Sequence, residues 1–151
     1  MEVLILACLI LLNGAFAMSE VALLTARQSK LATLAQRGDK LAAAAIRLSA
    51  DPTRFLSTVQ IGITSIGLLN GIVGEAILAE PFAAWLQGQG LENRTSNIIA
   101  TAVVVVAVTY VSIVIGEIVP KRLGQHSAEN ISRYVSWPMR GLAAVTAPFV
   151  H

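Results

Sequence analysis

Apolar residues run almost unbroken over three stretches, about 3–25, 55–79 and 98–119, and charge-bearing stretches separate them. A run of about 20 apolar residues matches a membrane-spanning helix, because lipid offers backbone groups no partner outside their own segment. Between the first two runs, over 26–51, the pattern changes. Leu31, Leu34, Leu41, Ala45 and Leu48 recur at helical spacing among charges, and Gly38-Asp39 reads as a turn. This spacing predicts an amphipathic helix or helix pair. Pro81 is expected to close the second run, Gln87 to Gly90 reads as a loop, and Asn93 to Ser96 reads as a helix entry. The β-branched stretch around Val103 to Val106 would suit a strand in water, but in lipid it is compatible with a helix. Apolar residues return over 132–150, where Pro138 and Pro148 interrupt them. That segment reads as a re-entrant or interfacial helix, or a span cut off early. The predicted fold is an all-α membrane protein with three transmembrane helices, a cytoplasmic amphipathic helical segment and a short C-terminal re-entrant or interfacial helix.

Composition agrees with this class. The chain has 151 residues, 55% hydrophobic and 13% charged, with a mean hydropathy of +0.69, outside the soluble range. A single cysteine, Cys8, excludes a disulfide framework, and with two histidines there is no closed Cys/His zinc site. The first run lacks the basic leader of a signal peptide, since Glu2 is the only charge before it. Charge also sets orientation. Arg27, Lys30, Arg37, Lys40, Arg47 and Arg54 follow the first run, and Lys121, Arg122, Arg133 and Arg140 follow the third, whereas the loop over 81–97 offers only Arg94. The positive-inside rule then places the N-terminus outside a bacterial inner (plasma) membrane and the basic segments in the cytoplasm, against membrane lipid. No aromatic stacking pattern accompanies these charges, so nucleic acid is not an expected partner. His126 and His151 stand alone and there is no phosphate-binding loop, so no enzyme is expected.

The stretch with the most chemistry is Gly116-Glu117-Ile118-Val119-Pro120-Lys121. Pro120 has no N–H, so the Gly116 carbonyl loses its helical donor beside the Glu117 carboxylate. A freed carbonyl next to a carboxylate suits a small divalent cation in a membrane; an interfacial Glu117 paired with Lys121 at i,i+4 is the alternative. Two other faces are small and polar. On a helical wheel Gln60, Thr64, Gly67, Asn70, Gly71 and Gly74 share one side of the second span, with Gly67 and Gly71 at GxxxG spacing. In the third span Thr109, Ser112, Gly116 and Pro120 do the same, while Asn13, Phe16, Ala17 and Glu20 turn one face of the first span toward other helices.

Four stretches together resemble the transmembrane domain of the CNNM/CorC (cyclin M-like, bacterial hemolysin-related) Mg²⁺ transporter family over essentially the whole chain. They are Ala17 to Leu24, Thr58 to Thr64, Asn70 to Ala76 and Gly116 to Arg122. The resemblance implies a homodimer that transports Mg²⁺, held as a bound transported ion between the three spans. It also implies a cytoplasmic part with a CBS pair and a C-terminal domain, absent from this chain, through which alone nucleotide would act. Ser19, Gly116 and Glu117 match the family pattern. Many members carry serine at the position of Ala17 and asparagines at those of Ile63 and Gly67, so Thr64 and Asn70 are the replacement oxygen ligands expected here. The expected metal site is thus Ser19, Thr64, Asn70, Gly116 and Glu117, with Glu20, Gly67, Gly71, Pro120 and Lys121 in structural or gating roles. Mg²⁺ transport or efflux is the first expected function. Polyamine export through the separated carboxylates Glu20, Glu75 and Glu117 is the alternative, followed by a non-transporting membrane anchor for a cytoplasmic sensor.

Overall fold

The computed structural model describes residues 1–150, with the side chains of Ala143 and of residues 145–150 outside that description; His151 also lies outside it. Seven α-helices and one π segment follow in order: α1 Glu2–Thr25, α2 Gln28–Gln36, α3 Lys40–Ser49, α4 Pro52–Gly88, α5 Asn93–Ile113, the π segment Val114–Ile118, α6 Val119–His126 and α7 Ala128–Val150. Among the described residues three stretches are long and apolar enough to cross a membrane: Glu2–Thr25, Pro52–Gly88 and Asn93–His126. Their lipid-facing sides expose large apolar residues such as Leu11, Leu68, Val106 and Tyr110.

Local chemistry sets the boundaries. Gly38 takes φ +91°, a left-handed conformation open to glycine, and so lets the chain reverse between α2 and α3. Asp39 caps α3 by accepting from the N–H groups of Leu41 and Ala42, and Asp51 caps α4 by accepting from Arg54 N–H, with Pro52 in the first turn. The expected end of the second span at Pro81 is corrected, because α4 continues through it to Gly88. An apolar stretch beyond the proline sustains the helix: Ala83 is buried and the rings of Phe82 and Trp85 stack at 5.8 Å. A spanning helix can tolerate the one carbonyl that such a proline orphans.

The three spans alternate in direction. Leu6 and Ile10 near the start of α1 pack with Ala79 late in α4 and with Val104 and Val108 of α5. Leu23, near the end of α1, belongs with Phe55 and Val59 at the start of α4 to a second cluster, which also takes in Leu31 of α2, Ala42 and Ala45 of α3 and Met139 of α7. The short helices and α7 thus close the basic end of the bundle. Polar links tie that end together: Ser136 Oγ donates to the Leu41 carbonyl, Arg133 pairs with Asp39, and Lys30 pairs with Glu129 at 3.7 Å. The Ala42 N–H first, then the Arg133 guanidinium and the Leu41 N–H, hold the Asp39 carboxyl below the ordinary carboxylate range, outweighing its burial, which acts to raise it.

Candidate functional site in the membrane

Between the two apolar clusters the third span departs from α-helical geometry. Over Val114–Ile118 the backbone adopts a π-helix, in which the Val119 N–H reaches back to the Val114 carbonyl. A π segment inserts one residue into the helical register, and Pro120, two residues past its end, can donate to no carbonyl. The Gly116 carbonyl takes its hydrogen bond from another span: Asn13 Nδ2 of α1 donates to it at 3.1 Å, in a buried position. Close approach makes this possible. A methyl group at Gly14 would come within 2.9 Å of Pro120 Cγ, and one at Gly124 within 2.7 Å of the Met18 carbonyl oxygen.

A cavity of about 110 Å³ lies beside this junction. Asn13 of α1, Asn70 of α4, and Thr109, Ser112 and Glu117 of the third span supply its polar wall, with Gly67, Gly71, Val108 and Ile113 completing it. Asn13 and Asn70 are 2% and 1% exposed, so water does not solvate them from outside. Even so, Asn13 Oδ1, both amide atoms of Asn70 and Ser112 Oγ have no hydrogen-bond partner among the described residues. Buried polar atoms are satisfied in the great majority of cases, and each exception costs about 1–3 kcal/mol. Several such atoms around one cavity form a preorganised polar site, with one carboxylate beside it.

Lys121 does not neutralise that carboxylate. Its Nζ turns to Glu20 Oε2 of α1 at 3.4 Å, and no ion pair among the described residues involves Glu117. The i,i+4 alternative for Glu117 is therefore not adopted, and Glu20 with Lys121 forms a bridge between α1 and α6. Among the described residues no three His, Cys, Asp or Glu side chains converge, so the donors at the cavity are mainly neutral oxygens.

The expected ligands are distributed unevenly. Asn70 and Glu117 line the cavity, and Gly116 stands behind it with its carbonyl held by Asn13. Ser19 is buried, but its hydroxyl donates to the Ala15 carbonyl one turn back, and Thr64 is exposed and accepts from Gln60 Nε2 at 3.4 Å. Gly67 and Gly71 border the cavity with nothing within 4 Å of where a side chain would begin, so among the described residues they pack against no other helix. Asn13 and Ser112 are site residues that helical-wheel reasoning did not assign. The available signal was a polar residue inside each apolar run. On a 100° wheel Glu117 stands apart from Ser112, and the π segment resets that register so that both reach one cavity.

Comparison with known proteins places the chain. Residues 4–151 match the model of the cyclin M transmembrane N-terminal domain, CNNM. The chain is 40% identical over 151 residues to the UPF0053 protein sll0260 of Synechocystis sp., covering 100% of this chain and 34% of the relative. It is 31% identical over 149 residues to the UPF0053 protein YhdT of Bacillus subtilis, covering 99% of this chain and 32% of that protein. To the polyamine export protein of Escherichia coli it is 30% identical over 149 residues, covering 99% of this chain and 33% of that relative. The chain thus spans about a third of the length of these relatives. With a spanning bundle broken by a π segment and a match over nearly its whole length, the chain belongs to the CNNM family, as its cyclin M transmembrane N-terminal domain.

Proposed function

We propose that this domain is the membrane part of a cation exporter and that its cavity takes one ammonium group of a polyamine. The carrying observation is the set of unpartnered atoms on Asn13, Asn70 and Ser112 beside Glu117. An alkylammonium brings three N–H donors, and the oxygens among these atoms, Asn13 Oδ1, Asn70 Oδ1 and Ser112 Oγ, complement it with one carboxylate, while Val108 and Ile113 suit the methylene chain. A second ammonium needs a second carboxylate. Glu75 meets that need: it accepts from Thr101 of α5 at 3.4 Å and lies about 7.5 Å further along α4 than Asn70 at the usual helical rise. Support also comes from the relatives, since several of about 30% identity carry the name polyamine export protein.

Mg²⁺ is the second reading, favoured by the hardness of the donors. Amide, hydroxyl and carboxylate oxygens at one cavity suit a dication that keeps part of its water shell. In this reading Asn70, Ser112 and Glu117 hold the ion, and the Gly116 carbonyl joins them if Asn13 releases it. In either reading the open Gly67 and Gly71 face of α4 joins two copies into a homodimer, with the N-terminus outside the plasma membrane.

Isothermal titration of the purified domain with putrescine and with MgCl₂ separates the readings. Glu117→Gln should abolish binding of whichever cation is the substrate. Glu75→Gln should weaken putrescine and leave Mg²⁺ unaffected. Mg²⁺ binding without putrescine binding would replace the first reading with the second, and binding of neither would leave the domain as an anchor.

A further inference from the structure

The basic end of the bundle holds another concavity, separate from the membrane cavity. It measures about 300 Å³ and is walled by Arg47 of α3, by Asp51, Arg54 and Phe55 where α4 begins, and by Arg140 of α7. An adjoining hollow of about 240 Å³ adds Lys40 and shares Arg47 and Arg140. Three helices therefore bring four cations to one region, opposed by a single carboxylate. Two other basic side chains at this end are paired, Arg133 with Asp39 and Lys30 with Glu129. Arg47 and Arg140 form no ion pair among the described residues, and Asp51 is engaged in capping α4. Holding Arg47 and Arg140 close together with so little opposing charge is unfavourable unless an anion completes the set.

Chemistry and position narrow the anion. Guanidinium groups present planar forks of N–H donors that match phosphate oxygens two at a time. The pocket lies at the first turn of α4, where the apolar run begins, at headgroup level for a spanning helix. On α7 beside it Tyr134 and Trp137 are 69% and 74% exposed, and aromatic residues of this kind collect where membrane meets water. We infer that this pocket binds a phosphate-bearing anion between Arg47, Arg54 and Arg140, with an anionic phospholipid headgroup as its source. Bound there, the headgroup ties α3 and α7 to the start of α4.

Native mass spectrometry of the purified full chain tests this, using phosphatidylglycerol, phosphatidylcholine, glycerol 3-phosphate and inorganic phosphate as separate probes. Phosphatidylglycerol should bind in preference to phosphatidylcholine. The Arg47→Gln/Arg140→Gln variant should weaken it about tenfold or more. Arg37→Gln, an exposed arginine outside the pocket, should leave it unchanged. Glycerol 3-phosphate or inorganic phosphate binding with the same arginine dependence, and displacing the lipid, would support the phosphate site and assign it to a free phosphate compound. Equal loss in Arg37→Gln, full retention in the double variant, or no binding of any phosphate probe would overturn the proposal. If circular dichroism shows the double variant unfolded, Arg140→Gln alone carries the test, because that side chain is exposed.

Discussion

Asn13 Nδ2 donates to the carbonyl of Gly116 at 3.1 Å, joining the first span to the π segment of the third. The bond satisfies the carbonyl that Pro120 leaves without a donor and, because an amide has two ends, turns Asn13 Oδ1 toward the cavity. Asn13→Ala should lower stability in detergent by about 1–3 kcal/mol, the cost of an orphaned buried carbonyl. An unchanged thermal midpoint would show that the carbonyl has another partner.

Asn70 separates stability from function. Its two amide atoms are buried without partners, so Asn70→Leu removes an unfavourable burial and keeps much of the volume. The variant should melt at the same temperature as the parent or higher, yet lose cation binding by titration. A variant that melts lower and still binds would show that Asn70 is a packing residue only.

Glycines in this chain divide into two classes. A methyl at Gly124 meets a backbone oxygen at 2.7 Å, so Gly124→Ala should force α1 and α6 apart and cost about 1–3 kcal/mol. Gly71 has open space, so Gly71→Leu should leave the protomer folded while disturbing its association or its cavity. Size-exclusion chromatography with light scattering, beside a thermal melt, reads both. A Gly71→Leu protein with lowered melting and an unchanged mass would refute the assignment of that face to the partner copy.

The pH dependence of the basic end follows from Asp39. Its folded pKa is lowered, first by the Ala42 N–H and then by Arg133. Its contribution is therefore present above the unfolded value of about 3.9 and is lost as pH falls through the lower folded value. Asp39→Asn should melt below the parent at neutral pH, and the gap should close as pH drops under about 4. A gap that stays constant into acid would mean that the carboxylate charge is immaterial there.

Orientation is testable with single cysteines in a Cys8→Ala background. An impermeant maleimide added from outside should label Gln89→Cys and spare Arg37→Cys. The reverse pattern would invert the bundle in the membrane.

Three spans, the break at Gly38-Asp39 and the unusual chemistry of Gly116 to Lys121 were legible in the sequence, because apolar run length and proline act locally. Other features were not. Pro81 reads as a stop in water, yet α4 passes it because the surrounding apolar residues favour helix on both sides. The alternative pairing of Glu117 with Lys121 assumes a regular helix, but Lys121 turns to Glu20 on another span. Ser112 and Glu117 reach one cavity only through the extra residue that the π segment inserts between them. Wheel arithmetic assumes that register constant.

At 37 residues α4 is about 55 Å long, well beyond the ~30 Å of a bilayer's hydrocarbon. Between Pro52 and Pro81 nothing interrupts it, and it carries Arg54 at one end, Asn70 midway and Glu75 and Glu80 further on. An intact α-helix is stiff along its axis. It acts here as a pushrod: a displacement of Arg54 along the axis displaces Asn70 by the same amount. An anion held at the basic end and a cation held in the membrane therefore act on one rigid part, and any effect of the first on the second's affinity must be returned in equal measure.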